Sequence, residues 1–373
     1  MVNLLIAGYH GFGNCGDEAI LRAIVNNINE MSDDVNITAL SYKPEFTETE
    51  YGIKAVQRFN AFEVLSAIKK NDILVFGGGT LLQDGTSTRS LIYYLSLIRL
   101  AKLFRKRVML YANGIGPVKE GFNRTIVKKV VDTVDLITLR ESLSKDDLDK
   151  IGVTRPETFV TSDPAFTLKK SEDIDDIFNQ EGIPTDKPIV GVSIRAWHKA
   201  RYGEDYVKAL AEACDLLAKE GKNIVLIPME FPRDIEISKK LSQAMKEKSY
   251  IFTNRYNPCQ ILGIVGKCSL LISMRLHTLI FAAIENVPML GVIYDPKVEY
   301  YLKVLEMPTA GDVRSERLSS SKIYSEAGKI LSSLDTAKPA LKKKSDELIK
   351  MAKKNDELLK QQFDIIRTQK EEK

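Results

Sequence analysis

Short apolar runs recur along the whole chain, and each one ends in a glycine-rich or polar turn. In the first half they occupy residues 3–7, 36–40, 73–76, 108–112, 136–139 and 158–160. In the second half they occupy residues 189–194, 224–227, 250–252, 270–272 and 289–293, with helical patterns between them. Buried strands that alternate with helices are typical of parallel sheets covered on both faces. The sequence therefore predicts two successive α/β units.

Length and composition fit this architecture. A chain of 373 residues can form two domains with separate cores, and 44% hydrophobic with 28% charged residues describes a globular protein. The four cysteines show no metal-ligand spacing, which favours a reduced, cytoplasmic protein. The first apolar run is too short for a secretory signal. The apolar stretch at residues 90–104 contains Arg99 and Lys102, so we predict a buried helix and no membrane span.

Charge marks the boundaries of the domains. A cluster of charged residues at 168–187 predicts a linker between an N-terminal domain, residues 1–167, and a C-terminal domain, residues 188–335. Residues 336–373 form a predicted long, basic, amphipathic helix. From residue 338 onward there are eleven basic and seven acidic residues, which accounts for the whole net charge of +4. The body of the chain is therefore neutral, and a nucleic-acid surface is not expected.

The function of this C-terminal helix is open at the level of sequence. We expect it to dock on the protein itself or on a second copy of the chain. Attachment to an anionic membrane is the alternative, because lysines surround its apolar stripe.

The first glycine-rich turn satisfies the dinucleotide fingerprint only in part. Gly11, Gly13 and Gly16 follow the first predicted strand and precede a helix at residues 17–29. The acidic residue that should follow the second strand is missing, because the chain continues there as Ser-Tyr-Lys at residues 41–43. What remains is a loop whose backbone amides can approach an oxyanion or a sugar at a helix N-terminus. No nucleotide cofactor is expected.

Two other motifs bear on cofactor and metal chemistry. Gly77-Gly78-Gly79 lacks the lysine of a P-loop, so it favours a close approach of the backbone to a ligand or a helix. Asp173-Ile174-Asp175 matches the metal-binding D-x-D of some glycosyltransferases. Within an acidic linker we interpret it as a solvated charge run, and no metal is expected.

Cationic residues follow three of the predicted strands of the second series. Arg195 follows the strand at 189–194, Arg275 and His277 follow the strand at 270–272, and Lys297 follows the strand at 289–293. Ligands of open α/β sheets bind beyond the carboxyl ends of the strands. Guanidinium groups grip oxyanions bidentately, and lysine adds a mobile charge. This edge therefore suits a small, multiply charged anion such as a phosphorylated carboxylic acid.

These motifs together resemble the polysaccharide pyruvyl transferase family. The resemblance rests on Ser273-Met274-Arg275-Leu276-His277, Val287-Pro288 and Tyr294-Asp295-Pro296-Lys297, and on an N-terminal stretch at residues 8–18 that is similar to CsaB-type bacterial members. Gly77-Gly78-Gly79-Thr80, residues 113–117, Arg140-Glu141-Ser142 and Ser162-Asp163-Pro164-Ala165 also fit. The resemblance covers roughly residues 3–305.

The resemblance implies a GT-B-like fold, in which two Rossmann-like domains face each other across a cleft. It implies transfer of pyruvate from phosphoenolpyruvate to two hydroxyls of an amino sugar, with a cyclic ketal and free phosphate as products. The acceptor would be a cell-wall polysaccharide precursor on a lipid diphosphate. The partners expected are these two substrates, with an anionic membrane at the inner face of the cell and a second copy of the chain as further candidates.

Residue roles follow from the motifs and the resemblance. The predicted catalytic residues are His277 as acid, Asp17 as base (with Glu18 and Asp163 behind it) and Arg275. The predicted donor-binding residues are Arg275, Leu276, His277, Lys297, Arg195 and Arg140, and the predicted acceptor-binding residues are Gly13, Asn14, Asp17, Gly78, Gly79 and Trp197.

Two other classes of function stay open. A glycosyltransferase with a nucleotide-sugar donor would need an acidic residue on the donor ribose, for which Glu230 is the candidate. A non-catalytic saccharide-binding module would leave the clustered Arg, His and Lys unexplained.

Overall fold

The computed structural model describes residues 1–85, 87–119 and 121–372, which form two compact units. The first unit comprises Met1–Phe12, Asp17–Leu168 and Leu348–Lys373, and the second comprises Gly13–Gly16 and Lys169–Glu347. Each contains a parallel sheet covered by helices, as the alternating pattern predicts. The division falls at residues 168/169 and again at 347/348, whereas the sequence placed a separate linker at 168–187 and a separate tail from residue 336.

Seven parallel strands form the sheet of the first unit. They are β1 Val2–His10, β2 Val35–Ser41, β3 Lys54–Gln57, β4 Ile73–Gly77, β5 Arg107–Asn113, β6 Leu136–Leu139 and β7 Glu157–Val160. Their order in the sheet is β3-β2-β1-β4-β5-β6-β7. The order reverses between β1 and β4, so the carboxyl ends of these two strands border the crevice in which doubly wound folds bind ligands.

Helices cover both faces of this sheet. They are α1 Cys15–Met31, α2 Pro44–Tyr51, α3 Ala61–Lys70, α4 Thr88–Leu103, α5 Gly121–Val131 and α6 Ser142–Ile151. One core contains buried residues of α1, such as Ile20 and Ile24. A separate core contains buried residues of α3 to α6, such as Ile68 and Leu95. The two faces of the sheet thus have different hydrophobic layers.

The second unit repeats the arrangement with six parallel strands. They are β8 Ile189–Ser193, β9 Asn223–Leu226, β10 Ser249–Ile251, β11 Leu270–Ser273, β12 Met289–Ile293 and β13 Thr309–Asp312, in the order β10-β9-β8-β11-β12-β13. The helices are α7 Ile174–Gln180, α8 Asp205–Lys219, α9 Arg233–Ala244, α10 Pro258–Gly266, α11 Leu276–Ile284, α12 Pro296–Val304 and α13 Ser320–Ser332.

A final helix, α14 Leu334–Glu371, ends the chain. From Leu348 onward it belongs to the first unit, where Leu359, Phe363 and Ile366 are buried in the same core as α1. The helix therefore docks on the protein's own body, as the first of the expectations had it. Its apolar stripe is covered by the first unit over this part of the helix. Among the described residues, none of the helices contains a stretch long and apolar enough to cross a bilayer.

Polar contacts fix the register of α14 on the first unit. Asn355 donates from its side-chain amide to the carbonyl of Ser162 at 3.0 Å and accepts from the hydroxyl of Thr161 at 2.7 Å. Asp356 accepts hydrogen bonds from Asn27 and from the hydroxyl of Tyr111. Burial raises the pKa of Asp356 to about 6, although these two hydrogen bonds lower it in part.

Replacing Asp356 with asparagine should flatten the pH dependence of stability. Because the folded-state pKa is above the ordinary value, Asp356 costs stability progressively as pH rises from about 4 to above 6. At pH 8 we expect the free energy of unfolding of Asp356→Asn to exceed that of the wild type by about 1–3 kcal/mol, and near pH 4 we expect no gain. Urea titrations at several pH values would measure this. The control variant is Glu357→Gln. The prediction would be contradicted if the free energy of unfolding had the same slope against pH in the wild type and in Asp356→Asn.

The predicted linker is partly helical. α7 buries Ile174, Ile177 and Phe178, which shows that a charged surface can accompany a short buried face. Asp173 accepts hydrogen bonds from Ser171 and Gln260, and Asp175 pairs with Lys267 at 2.6 Å. Both acids of the D-x-D motif thus make contacts with other side chains of the protein. Across the described ranges, no group of three or more His, Cys, Asp or Glu is arranged to hold a metal ion.

Candidate functional site

Four neighbouring strands carry the functional side chains of the second unit. β9, β8, β11 and β12 run parallel in that order, so their carboxyl ends meet at one edge of the sheet. Arg195 follows β8, and Lys297 lies in the first turn of α12 after β12. Arg275 and His277 follow β11, with the buried Leu276 between them as the first residue of α11. These five residues of the predicted donor site therefore come to the same edge.

Arg275 is an internal ion-pair partner at this edge. Its side chain is only 8% exposed, and Nη2 donates to Glu230 at 3.0 Å and to Asp234. Burial opposes the charge, but the carboxylate of Asp234, with help from Glu230, raises the pKa of Arg275 above its usual value. Asp234 also accepts from the amides of Met229 and Glu230 at 3.0 Å. This network fixes the turn between β11 and α11. It also occupies Nη2 of Arg275, a residue that the sequence assigns to donor binding.

Glu230 is likewise committed to arginines. One carboxylate oxygen accepts from Arg233 at 2.7 Å and the other from Arg275 at 3.0 Å. Burial alone would raise the pKa of Glu230, but Arg275, Arg233 and Arg195 together lower it. The acid that the glycosyltransferase alternative assigns to a ribose is therefore already engaged by two guanidinium groups.

Arg195 has a different environment. Its Nη1 donates to the hydroxyl of Tyr294 at 3.1 Å, and its Cζ lies 4.9 Å from the Tyr294 ring centroid and 5.4 Å from that of Trp197. In the described part of the chain no carboxylate lies within 4.0 Å of it. Its Nε is buried without a hydrogen bond. The two aromatic rings hold the half-buried guanidinium of Arg195 in place, and no direct ion pair neutralises its charge. A guanidinium in this state can bind an incoming anion.

The three histidines differ sharply. Burial and the nearby guanidinium of Arg58 lower the pKa of His10 to about 3, so His10 stays neutral near physiological pH. His198 is exposed on the loop after β8. His277 is half-buried in the first turn of α11, at the edge that carries Arg195. Of the three, His277 alone combines partial exposure with a position among the cationic residues that follow β8, β11 and β12.

The backbone at Gly16 lies against the imidazole of His277, within the second unit. A methyl group added at Gly16 would overlap Nδ1, Cγ and Cε1 of the ring. The third glycine of the fingerprint is thus required by its close packing against a histidine.

Replacing Gly16 with alanine should therefore displace the His277 ring. We expect turnover to fall by about 10²-fold, because a displacement near 1 Å of a catalytic group has effects of that size. Steady-state kinetics with thermal melts would measure it. Gly328→Ala is the matched control, since nothing lies within 4 Å of the position where its added methyl would sit. Full activity of a folded Gly16→Ala variant would show that activity does not depend on the packing of Gly16 against the His277 ring.

Gly13 and Asn14 lie elsewhere than the sequence implied. They were assigned to the acceptor side of the N-terminal domain, but the structure groups them with the second unit. The Gly13 carbonyl accepts from the amide of Phe231 at 3.2 Å, and Asn14 forms an antiparallel bridge with Glu230. Their backbone groups pair with the segment that follows β9.

In the first unit, the glycine loop after β1 is held by Glu18. Its buried carboxylate accepts from the amide of Gly11 at 2.8 Å and from the hydroxyl of Tyr51 at 2.5 Å. Gly11 has φ +79°, and a side chain there would overlap Ser41. Glu18 is therefore a structural acid. Asp17, one residue earlier, is half-buried in the first turn of α1, where it remains the candidate base.

Gly78 and Gly79 form a left-handed turn after β4. Their φ values are +64° and +72°, and a methyl at Gly78 would overlap Ile20 of α1. A methyl at Gly79 would lie 3.3 Å from a carboxylate oxygen of Asp17. Close packing of the backbone on a neighbouring helix, one of the two interpretations of this motif, is thus what the structure shows.

Arg140, a predicted donor-binding residue, is engaged in contacts within the first unit. It lies in the first unit and is 5% exposed. Its Nε donates to Glu141 at 3.0 Å, Nη1 to Asp163 at 2.7 Å and Nη2 to Thr80 at 3.3 Å. With all three nitrogens bonded in a buried site, Arg140 organises the ends of β6 and β7. Asp163, a reserve candidate for the base, is fully buried in the same network and caps a short 3₁₀ helix at Pro164–Thr167.

Sequence reasoning missed Asp234 and Tyr294 as partners of the site. Asp234 was not among the candidate residues, yet it neutralises Arg275 from 41 positions away along the chain. Tyr294 was noted as part of a motif, but its contact with Arg195 depends on the adjacency of β8, β11 and β12. No local signal reveals either pairing.

Comparison with known proteins identifies the family. Residues 14–296 match the model of the family described as polysaccharide pyruvyl transferase. The chain belongs to this family. A curated relative of this pyruvyl transferase family member is the amylovoran biosynthesis protein AmsJ of Erwinia amylovora. It is 24% identical over 375 aligned positions, which cover 84% of this chain and 89% of AmsJ.

Solved structures similar to this pyruvyl transferase family member establish the fold class. Anabaena HepE in complex with UDP-glucose matches with a TM-score of 0.63 and 10% identity, over 97% of this chain and all of HepE. The UDP-GlcNAc 2-epimerase of Neisseria meningitidis matches with a TM-score of 0.65 and 12% identity, over 98% of this chain and all of that protein. Two Rossmann-like parallel-sheet domains and a long C-terminal helix thus form a GT-B-like fold, as predicted.

Proposed function

We propose that this protein transfers the pyruvate unit of phosphoenolpyruvate to two hydroxyls of one sugar in a polysaccharide precursor. A cyclic ketal and inorganic phosphate are the products. Membership in the pyruvyl transferase family and the similarity to AmsJ support a transferase of polysaccharide biosynthesis. The observation that carries the choice of donor is the convergence of Arg195, His277 and Lys297 at one sheet edge, with the charge of Arg195 unpaired by any described carboxylate.

The donor requires two neighbouring cationic groups. Phosphoenolpyruvate carries a phosphate and a carboxylate on one carbon, so its recognition needs charge-assisted bonds in two directions. In this proposal Arg195 and Lys297 bind the two anionic groups. Arg275 acts as a positioning residue, because its buried pairing with Asp234 and Glu230 fixes the backbone from which His277 projects.

The reaction has two stages. In the first, a proton from His277 is added to the methylene carbon of the enol while one sugar hydroxyl attacks the central carbon, and the hydroxyl proton passes to a base. In the second, the carbon–oxygen bond to phosphate breaks and the second hydroxyl closes the ring. The net change converts the methylene to a methyl group, forms two carbon–oxygen bonds and releases hydrogen phosphate. We assign the base role to Asp17 because it is a half-buried carboxylate at the carboxyl edge of the first sheet.

The acceptor in this proposal is an amino sugar of a cell-wall polysaccharide precursor carried on a lipid diphosphate, handled at the cytoplasmic face of the membrane. Membership in the family and the similarity to AmsJ, an amylovoran biosynthesis protein, support a polysaccharide acceptor. The lipid and the amino sugar are extensions that the experiment below addresses separately.

One assay distinguishes this function from its competitor. The protein is incubated with phosphoenolpyruvate or UDP-glucose and a panel of amino-sugar and galactose disaccharides, free and lipid-diphosphate-linked. Acceptor-dependent phosphate release, with a new ketal methyl signal in the NMR spectrum of the sugar, is the expected result. Release of UDP would indicate a glycosyltransferase instead; HepE, a protein of similar fold, has been solved in complex with UDP-glucose. Release of neither product across the panel would count against both.

A further inference from the structure

A row of aromatic rings lies along the carboxyl edge of the first unit's sheet. The aromatic row consists of Tyr9, Phe12, Tyr42 and Phe59, which lie at or after the ends of the adjacent strands β1, β2 and β3. Tyr9 stacks on Phe12 with centroids 4.0 Å apart, and Phe12 stacks on Tyr42 at 4.6 Å, with interplanar angles of 6° and 7°. Phe59 meets Tyr42 edge-on at 6.2 Å. Three separate loops thus build one continuous surface.

A buried arginine supports the row from beneath. Arg58 is 4% exposed, and its Nη1 donates to the carbonyl of Gly8 at 2.6 Å while Nη2 donates to the hydroxyl of Tyr94 at 3.0 Å. Its Cζ lies 5.2 Å from the ring centroid of Phe12 and 5.3 Å from that of Phe59. Cation–π contacts of a desolvated guanidinium are among the stronger ones. The rings are therefore held in place before any ligand arrives.

The aromatic row is supported by a buried residue, yet most of its rings are exposed to solvent. Tyr9 is 37% exposed, Tyr42 44% and Phe59 63%. Contiguous exposed aromatic surface on a soluble unit usually marks a binding site, since burying it in a ligand contact is favourable. The two tyrosines add hydroxyl groups to the apolar rings. An amphipathic surface of this kind matches a sugar ring, which has an apolar C–H face and polar edges.

We propose that the aromatic row binds a pyranose ring of the oligosaccharide acceptor. The inference rests on the proposed function, and it adds a binding surface at the carboxyl edge that also carries Asp17. Charge argues against an anionic lipid surface as the ligand, because Lys43 near the row is offset by the exposed acids Glu45 and Glu63. Arg58 is buried and bonded within the unit, so its charged nitrogens are turned to internal partners and the row is not a phosphate site.

Saturation-transfer NMR with N-acetylated chitotetraose tests the platform without requiring turnover. We expect the wild type to transfer saturation to the sugar C–H protons and to bind the tetramer about tenfold more tightly than the double variant Tyr42→Ala/Phe59→Ala, which removes two rings of the row. Phe122→Ala is the matched control, because Phe122 is an exposed phenylalanine of α5 outside the row. Circular dichroism melts would verify that all three proteins are folded.

Three results would overturn the inference. They are absence of transfer from wild-type protein, equal transfer from the double variant, and pelleting with phosphatidylglycerol vesicles that depends on the row while the sugar does not bind. Chitotetraose binding is measured without phosphoenolpyruvate. If the protein binds this sugar through the row but releases no phosphate, the result supports the aromatic row as a sugar-binding surface and refutes the proposed function.

Discussion

Replacing His277 with glutamine is expected to lower turnover by about 10²–10⁴-fold, the usual contribution of a positioned acid–base group. Glutamine keeps the size and hydrogen-bonding capacity of the side chain but cannot deliver a proton. His277 is half-buried beside the backbone of Gly16, so the substitution should leave the fold intact. Acceptor-dependent phosphate release, measured at saturating phosphoenolpyruvate, gives the turnover directly.

The matched control for this experiment is His198→Gln. His198 is exposed on the loop after β8 and should be replaceable with little effect. A folded His277→Gln protein that releases phosphate at the wild-type rate would remove the acid assignment. A fall of the same size in His198→Gln would move the role to the other histidine.

Removal of Arg195 should mainly weaken the binding of phosphoenolpyruvate. Hydrogen bonds to charged groups contribute about 1.5–3 kcal/mol, so we expect Arg195→Ala to lower kcat/KM for the donor by about 10–150-fold, mostly through KM. Arg195→Lys should have a smaller effect, because it retains the charge and loses the planar fork. Initial rates against phosphoenolpyruvate concentration, at fixed acceptor, separate KM from kcat.

Arg201→Ala is the control for Arg195. Arg201 lies on the same loop and donates to the carbonyl of Ser315, so its loss tests whether any change in the loop lowers activity. An unchanged donor KM in Arg195→Ala, with an intact fold, would show that the unpaired guanidinium is not the anion ligand. The anion site would then have to be sought at Lys297.

The sequence predicted the architecture because buried parallel strands are continuous apolar runs. β6 Leu136–Leu139 and β12 Met289–Ile293 occupy the ranges that the pattern indicated. The edge strands β3 Lys54–Gln57 and β13 Thr309–Asp312 were missed, since edge strands are short and carry polar residues. The helix α7 was hidden by the acids of its exposed face.

The placement of the candidate residues at one sheet edge was predictable from the sequence, but their ion-pair partners were not. The rule that ligands bind at the carboxyl ends of strands brought Arg195, Arg275 and His277 together from sequence alone. Whether an arginine is neutralised depends on acids that lie far away in the chain, such as Asp234 for Arg275 and Asp163 for Arg140. Local patterns contain no information about such partners, and the two arginines therefore looked equivalent to Arg195.

The docking of α14 affects when the first unit can complete its folding during synthesis. Leu359, Phe363 and Ile366 fill the same apolar layer as strand residues near the start of the chain, such as Leu4 and Ile6. The first unit of a nascent chain therefore lacks part of its interior until residues 348–371 have been synthesised. A fragment that stops at residue 168 would leave this layer open to water.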